Sequence, residues 1–393
     1  MSVILDPKMR AFAESQFERF LQFWKDLLAI ESNSYNIDGV NRVGDAVEAF
    51  AAGLGFSCRR HPMEHSASGV VIEYNNGSDK EPVMFGAHMD TVLKLSDFPD
   101  PPIRIDAERK LHGPGVMDDK SGIVTSLFTM YLLKEFGYTD RPVKLVLAVD
   151  EEISNALSGE AGKEYLRSEA RSAFCAFNME GALLDRVSLN VERFGILTRR
   201  IDITGVGSHA GHGLKDGRSA IQEAAHKLLA IEAETDTDCL TFNCGLIEGG
   251  KAANAVPVKC SITFDIRFRT EADGKRADEI LRRETEHAYV EGTHAELVEI
   301  NSRPPMICRE NSKRFLEYYN DAHEAVYGIR LRPNLTRGGS DAAYFTQVNC
   351  PTVDSMSLWG GRSHSAEEWC EIDSLVPRAF TLATAVMHLP GSF

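Results

Sequence analysis

The sequence predicts an α/β fold: a central mixed sheet flanked by helices, carrying an inserted ferredoxin-like α+β domain. Three observations lead there. Short apolar runs such as Val83–Phe85 and Val143–Val149 end in polar, chemically loaded residues, as buried parallel strands do at their carboxyl ends. Stripes at helical spacing lie between these runs. Residues 193–301 change pattern, to β-α-β-β-α-β, and the alternation then resumes. A length of 393 residues favours two domains. The expected boundaries are 1–192 with 302–393 for a discontinuous first domain, and 193–301 for the insert.

In chain order, Phe12, Phe17, Phe20, Leu21, Trp24 and Leu28 fall at three- and four-residue steps and predict a helix over 9–29. Val43, Val47, Phe50 and Leu54 predict a second, closed by Gly55. Val70–Tyr74 and Val83–Ala87 read as strands separated by the turn-forming Asn75-Asn76-Gly77-Ser78. Leu95–Arg109 is rich in Pro and Asp and reads as a loop. A helix over 123–136 and a strand over 143–149 follow. In the insert, strands are expected over 197–203, 240–247, 260–268 and 295–300, with helices over 219–232 and 275–289. A helix over 312–326, a strand over 352–358 and a helix over 377–388 complete the first domain.

A formal charge of -15 argues against nucleic acid or an anionic membrane as partner. No apolar run reaches the length of a membrane span, and residues 1–10 lack the apolar core of a signal peptide, so a cytoplasmic protein is expected. The eight cysteines show no C-x-x-C spacing; free thiols are expected rather than disulfides or a thiolate zinc site.

His88 and Asp90 stand two residues apart at a strand end and so point the same way, which suits a metal ligand and the carboxylate that orients it. Alone, such a pair is more often a buried histidine held by an aspartate. Asp150-Glu151-Glu152 is costly if buried, and Asp118-Asp119 is read first as a helix cap. Together the weighing changes. His88, Asp118, Glu152, Glu180 and His364 each follow an apolar run or a glycine turn. Two histidines and three carboxylates match a pair of divalent ions about 3.5 to 4 Å apart that share a nucleophilic water. Glu151 is left over as general base.

The segments HMDT (88–91), GPGVMDDKSG (113–122), DEE (150–152), NMEG (178–181), GVGSHAG (205–211), NAVP (254–257), DIR (265–267), GGSDAAY (338–344) and SHSAEE (363–368) occur in this order. They resemble metallopeptidase family M20, subfamily A, and within it the bacterial glutamate carboxypeptidase branch. The resemblance implies a zinc-exopeptidase-like catalytic domain with two divalent ions, Zn2+ foremost and Co2+ or Mn2+ as alternatives, held by His88, Asp118, Glu152, Glu180 and His364. It assigns Asp118 as the bridge, Asp90 as the orienter of His88 and Glu151 as the proton shuttle, with a cis peptide at Asp118-Asp119. The insert corresponds to a lid that also carries a homodimer contact. There His209 would donate to the scissile carbonyl oxygen, in its own subunit or across a dimer.

For substrate, Asn254 and Arg267 match the pair that holds a C-terminal carboxylate; a planar guanidinium suits that group. Thr336, Gly338, Gly339 and Ser340 match the loop bordering the substrate. Arg303 and Ser188 match the glutamate side-chain pocket, Arg186 stands where a lysine is expected, and Arg337 replaces a glycine. Surface ion pairs are the competing role for Arg186 and Arg303. The implied function is release of a C-terminal glutamate from an N-acyl amino acid or short peptide. An aminoacylase or dipeptidase of non-acidic specificity is the alternative within the same chemistry. A catalytically inactive metal-dependent binding protein is the alternative of another class. The glycines at 113–115 have neither Rossmann nor Walker spacing.

Overall fold

A computed structural model describes residues 3–393. The chain divides into two compact units. The first gathers the chain up to Glu192 with Ile307–Leu335 and Ser340–Phe393; the second holds Arg193–Met306 and Thr336–Gly339. Residues 302–306, given to the first domain by the sequence reading, go with the second because its last strand runs on to Arg303 beside Ile196 and Arg193 bridges Met306.

The first unit is built on a six-stranded sheet in the order Ser57–His61, Gly69–Tyr74, Val143–Ala148, Val83–His88, Cys175–Asn178, Thr352–Val353. The first three strands pair antiparallel in sequence, and the pairings among the last four are parallel. Val83–His88 and Val143–Ala148 are buried along their whole length, which explains their continuous apolar runs. Because these two strands and Cys175–Asn178 run the same way, His88, Asp150–Glu152 and Glu180 emerge side by side at one edge.

Helix Pro7–Leu28 starts where Asp6 accepts from the Lys8 and Met9 amides at 2.8 and 3.4 Å, with Pro at its first position. Its stripe of Met9, Ala13, Phe20, Trp24 and Leu27 is buried, and Phe20 stacks on Phe128 with ring centroids 4.1 Å apart. Phe128 belongs to helix Lys120–Glu135, which is buried on nearly every side and so shows no amphipathic stripe.

The expected strand over 352–358 ends at Val353. Ser355 takes a left-handed φ of 64°, and the amides of Met356 and Ser357 turn to the carbonyls of Asn178 and Glu180 at 3.1 and 3.0 Å. The loop reading of 95–109 misses a second small sheet, ordered Gly360–Gly361, Trp369–Glu371, Lys110–His112, Arg104–Ile105. Two of its pairings are local, Arg104–Ile105 with Leu111–His112 and Gly360–Gly361 with Trp369–Cys370, but these strands are only two or three residues long. The pairing that joins the two halves, Lys110–His112 with Trp369–Glu371, spans about 260 residues, beyond the reach of any local pattern. The sequence reading also gives no element to Ser57–His61 or to helix Gly159–Arg171.

The second unit has four antiparallel strands ordered Leu240–Gly249, Lys259–Phe268, Gly195–Thr204, His294–Arg303, with helices Ala220–Glu232 and Glu271–Glu286. Strict alternation on Lys259–Phe268 buries Cys260, Ile262, Phe264, Ile266 and Phe268 in that unit's own core. All eight cysteines are free thiols. Among the described residues no helix is long and apolar enough to cross a membrane.

Candidate metal centre

The carboxyl edge of the large sheet carries the chemistry. Ligand-capable atoms of His88, Asp118 and Glu152 lie within 4.8 Å of one another, and so do those of His88, Glu151 and Glu180. His364 reaches the same place: its Nε2 is 3.3 Å from Asp118 Oδ2 and 3.1 Å from Glu152 Oε2. His88 Nε2 is 3.0 Å from Asp118 Oδ1. His88, Glu152 and His364 thus meet around Asp118, and Glu180 lies with Glu151, itself only 7% exposed, in the second group that shares His88.

Asp90 holds more than its histidine. Its Oδ1 lies 3.2 Å from His88 Nδ1, and its two oxygens accept the Glu151 and Glu152 amides at 3.1 and 3.2 Å. The Ser34 hydroxyl donates to Oδ2 at 2.7 Å. A single carboxylate, fully buried, therefore fixes the imidazole and caps the 3-10 turn Glu151–Ile153 that presents the acidic pair. Sequence reasoning gave Asp90 the first task and missed the second, as it missed Ser34, because these bonds cross 56 to 62 residues.

The Asp118–Asp119 peptide is cis. Asp119 caps helix Lys120–Glu135 by accepting from the Gly122 amide at 3.2 Å. Buried Lys120 donates to the Ile30 carbonyl at 2.8 Å.

The electrostatics describe a place short of positive charge. Burial, then the Asp118 carboxylate, push Glu152 up to about 8. Hydrogen bonds to Asp118 and Glu152 hold His364 up at about 10. Burial opposes charge on His88, but bonds to Asp118 and Asp90 outweigh it and raise its pKa well above the usual imidazole range. The donor set of imidazole nitrogen and carboxylate oxygen, with no thiolate, fits zinc, cobalt or manganese alike.

The other expected site residues fall in both units. In the second unit, Asn254 accepts the Ala210 amide through its carbonyl at 3.0 Å, and the Val256 amide donates to Ser208 at 2.9 Å, so the Ser208–Ala210 turn is pinned to the Asn254 loop. His209 is exposed, and its Nδ1 accepts from the Gly211 amide at 3.0 Å, which leaves Nε2 as the ring's other hydrogen-bonding position. Arg267 is tied to Asp265 at 2.7 and 2.9 Å and donates to the Arg337 carbonyl at 3.2 Å. Arg303 is 3% exposed, so it is not a surface ion pair. Gly339 packs on it so closely that a Cβ would sit 3.0 Å from Arg303 Cδ. The Thr336 carbonyl accepts from Phe194 at 3.0 Å. In the first unit, Ser188 donates its amide to Asp185 at 3.1 Å. Arg186 bonds Glu371 at 2.5 Å and lies 4.6 Å from the Trp359 ring centre, which is the surface ion pair weighed against its pocket role.

Comparison with known proteins gives the family. The family model for peptidase family M20/M25/M40 matches residues 84–388. Carboxypeptidase G2 of Pseudomonas sp. (strain RS-16) is 26% identical over 374 residues, covering 92% of this chain and 87% of that protein. A succinyl-diaminopimelate desuccinylase of Cereibacter sphaeroides (strain KD131) is 24% identical, covering 85% of this chain and 90% of its own. Among solved structures, the M20 family metallo-carboxypeptidase Sso-CP2 of Sulfolobus solfataricus shares the fold with a TM-score of 0.77 at 15% identity, over 94% of this chain and 98% of that one. With the match spanning both units, the chain belongs to peptidase family M20/M25/M40 and is one of its metallohydrolases.

Proposed function

We propose that this metallohydrolase is a di-zinc carboxypeptidase or amidohydrolase that releases a C-terminal glutamate from an N-acyl or peptidyl precursor. The observation that carries the reading is the meeting of His88, Asp118, Glu152, Glu180 and His364 with Glu151 alongside. The metal pair, when bound, supplies Lewis acidity toward water and the amide carbonyl. Glu151 takes the proton from the attacking water and passes it to the leaving amine nitrogen. Asp90 keeps the turn bearing Glu151 in place by accepting its amide at 3.1 Å. His209, whose Nδ1 is taken by the Gly211 amide, has Nε2 left to donate to the carbonyl oxygen as charge develops on it. Asn254 and Arg267 are assigned to the substrate's free carboxylate, and Arg303, Ser188, Thr336 and Gly339 to substrate binding.

Glutamate is favoured by the likeness to carboxypeptidase G2 over 92% of the chain. The engagement of Arg186 by Glu371 favours a second reading, an aminoacylase or dipeptidase of non-acidic specificity. A rate series over N-acyl amino acids separates them. The first reading predicts N-acyl-glutamate and N-acyl-aspartate cleaved about tenfold or more faster than N-acyl-leucine, the discrimination one charge-assisted contact supplies; equal rates remove the acidic pocket.

A homodimer through the second unit belongs to the same proposal. Leu240–Gly249 is an edge strand, and Leu246 and Ile247 stand 63% and 55% exposed on it, a surface that pairing with a second copy would cover. Light scattering of the purified protein is expected to give twice the chain mass, and Leu246→Lys the single mass; a monomeric parent protein removes the dimer.

A further inference from the structure

The turn that delivers Asp118 has little of its own to hold it. Gly113 and Gly115 take φ of 152° and 70°, and the turn's internal bonds are Val116 to Gly113 at 3.1 Å and Lys120 to Gly115 at 3.0 Å. Three further amides in it would be buried without a carbonyl. All three donate to one side chain: Gly115 to Glu368 Oε2 at 3.0 Å, and Met117 and Asp118 to Glu368 Oε1 at 2.9 and 3.0 Å. Glu368 is 3% exposed and forms no ion pair among the described residues, and both its oxygens are engaged by this backbone. It stands four residues beyond His364, and the strand it leads into, Trp369–Glu371, pairs with Lys110–His112, which leads into the turn. One carboxylate thus fastens the segment bearing His364 to the segment bearing Asp118, whose side chains meet at 3.3 Å.

We propose that Glu368 is a positioning residue of the metal centre: through three backbone amides it sets where Asp118 stands, and with it the spacing between Asp118 and His364. This rests on the metal-centre reading above. A carboxylate suits the task because it only accepts and offers lone pairs on both oxygens; an amide would turn a donor toward one of the three N–H groups. Its loss leaves the fold's cores untouched but loosens the backbone under one shared ligand.

The test compares the parent protein with Glu368→Gln, with the charge-preserving but one-methylene-shorter Glu368→Asp, and with Glu367→Gln as a neighbouring control. Zinc affinity is read by chelator competition, and coordination by the visible absorption of the cobalt-loaded protein, both well below the unfolding temperature. Glu368→Gln and Glu368→Asp are expected to bind zinc about 10- to 100-fold more weakly, the usual effect of losing a group that orients a ligand, and to shift the cobalt spectrum. Glu367→Gln is expected to match the parent. Should one variant fail to fold, the other decides. Folded variants with parental affinity and spectrum overturn the proposal, even if their unfolding temperature falls, since that is all a merely structural role predicts. A parent protein that binds no zinc fails the metal-centre reading instead.

Discussion

Glu151 is buried beside His88 and Glu180, yet the five expected ligands are complete without it. A spare carboxylate in that place makes sense as a base, and Glu151→Gln is expected to lower kcat by a factor of about 100 to 10,000 while metal content stays at the parental level. Unchanged turnover takes the proton shuttle away from Glu151; lost metal makes it a ligand. Removing the Ser34 hydroxyl is a milder change: Ser34→Ala deprives buried Asp90 of one of its bonds and is expected to cost about 1 to 3 kcal/mol of stability, read by denaturant titration. At this scale the sequence was legible where chemistry and local pattern coincide. His88, Asp118, Glu152, Glu180 and His364 follow apolar runs or glycine turns, so strand ends and turns could be guessed. Ser34 and the task of Glu368 were not, because their partners lie 56 and about 250 residues away; Glu368 closes the SHSAEE segment, but nothing local shows what it bonds.

Elements hold the site through burial and a few paid-for charges. Lys144 on a central strand donates to Glu169 Oε2 at 2.9 Å, and both side chains are at most 10% exposed. Burial raises the Glu169 pKa, but Lys144 and Arg59 outweigh it and hold it below its ordinary 4.5. A carboxylate with a depressed folded pKa stabilises above its unfolded pKa, and that contribution fades as pH falls from about 4.5 through the folded value. Stability measured between pH 6 and 2 is therefore expected to fall more gently in Glu169→Gln than in the parent, with a neutral-pH loss of about 3 kcal/mol from stranding Lys144. Parallel curves contradict the assignment. Helices such as Pro7–Leu28 were legible from their stripes. Helix Lys120–Glu135, buried all round, was found by its glycine-rich start, and the strand expected over 352–358 was cut short by the turn at Ser355.

The whole molecule keeps two separate cores, one under the six-stranded sheet and one in the four-stranded unit. Only the first contains the proposed ligands. Removing metal is therefore expected to lower the unfolding transition of the first unit by the linkage free energy, about 2.7 kcal/mol at a hundredfold excess of metal over its dissociation constant, and to leave that of the second unit in place. Calorimetry with and without chelator reads both; equal shifts in the two contradict it. The division into units was legible because the period of the pattern changes near Arg193, whereas the return of 336–339 to the second unit was not, since its contacts with Phe194 and Arg303 are made across the chain. The most direct test of the account is anomalous diffraction from crystals of the zinc-loaded protein. Two peaks about 3.5 to 4 Å apart, enclosed by His88, Asp118, Glu152, Glu180 and His364, are the expected result; a single peak, or peaks elsewhere on the chain, would contradict it.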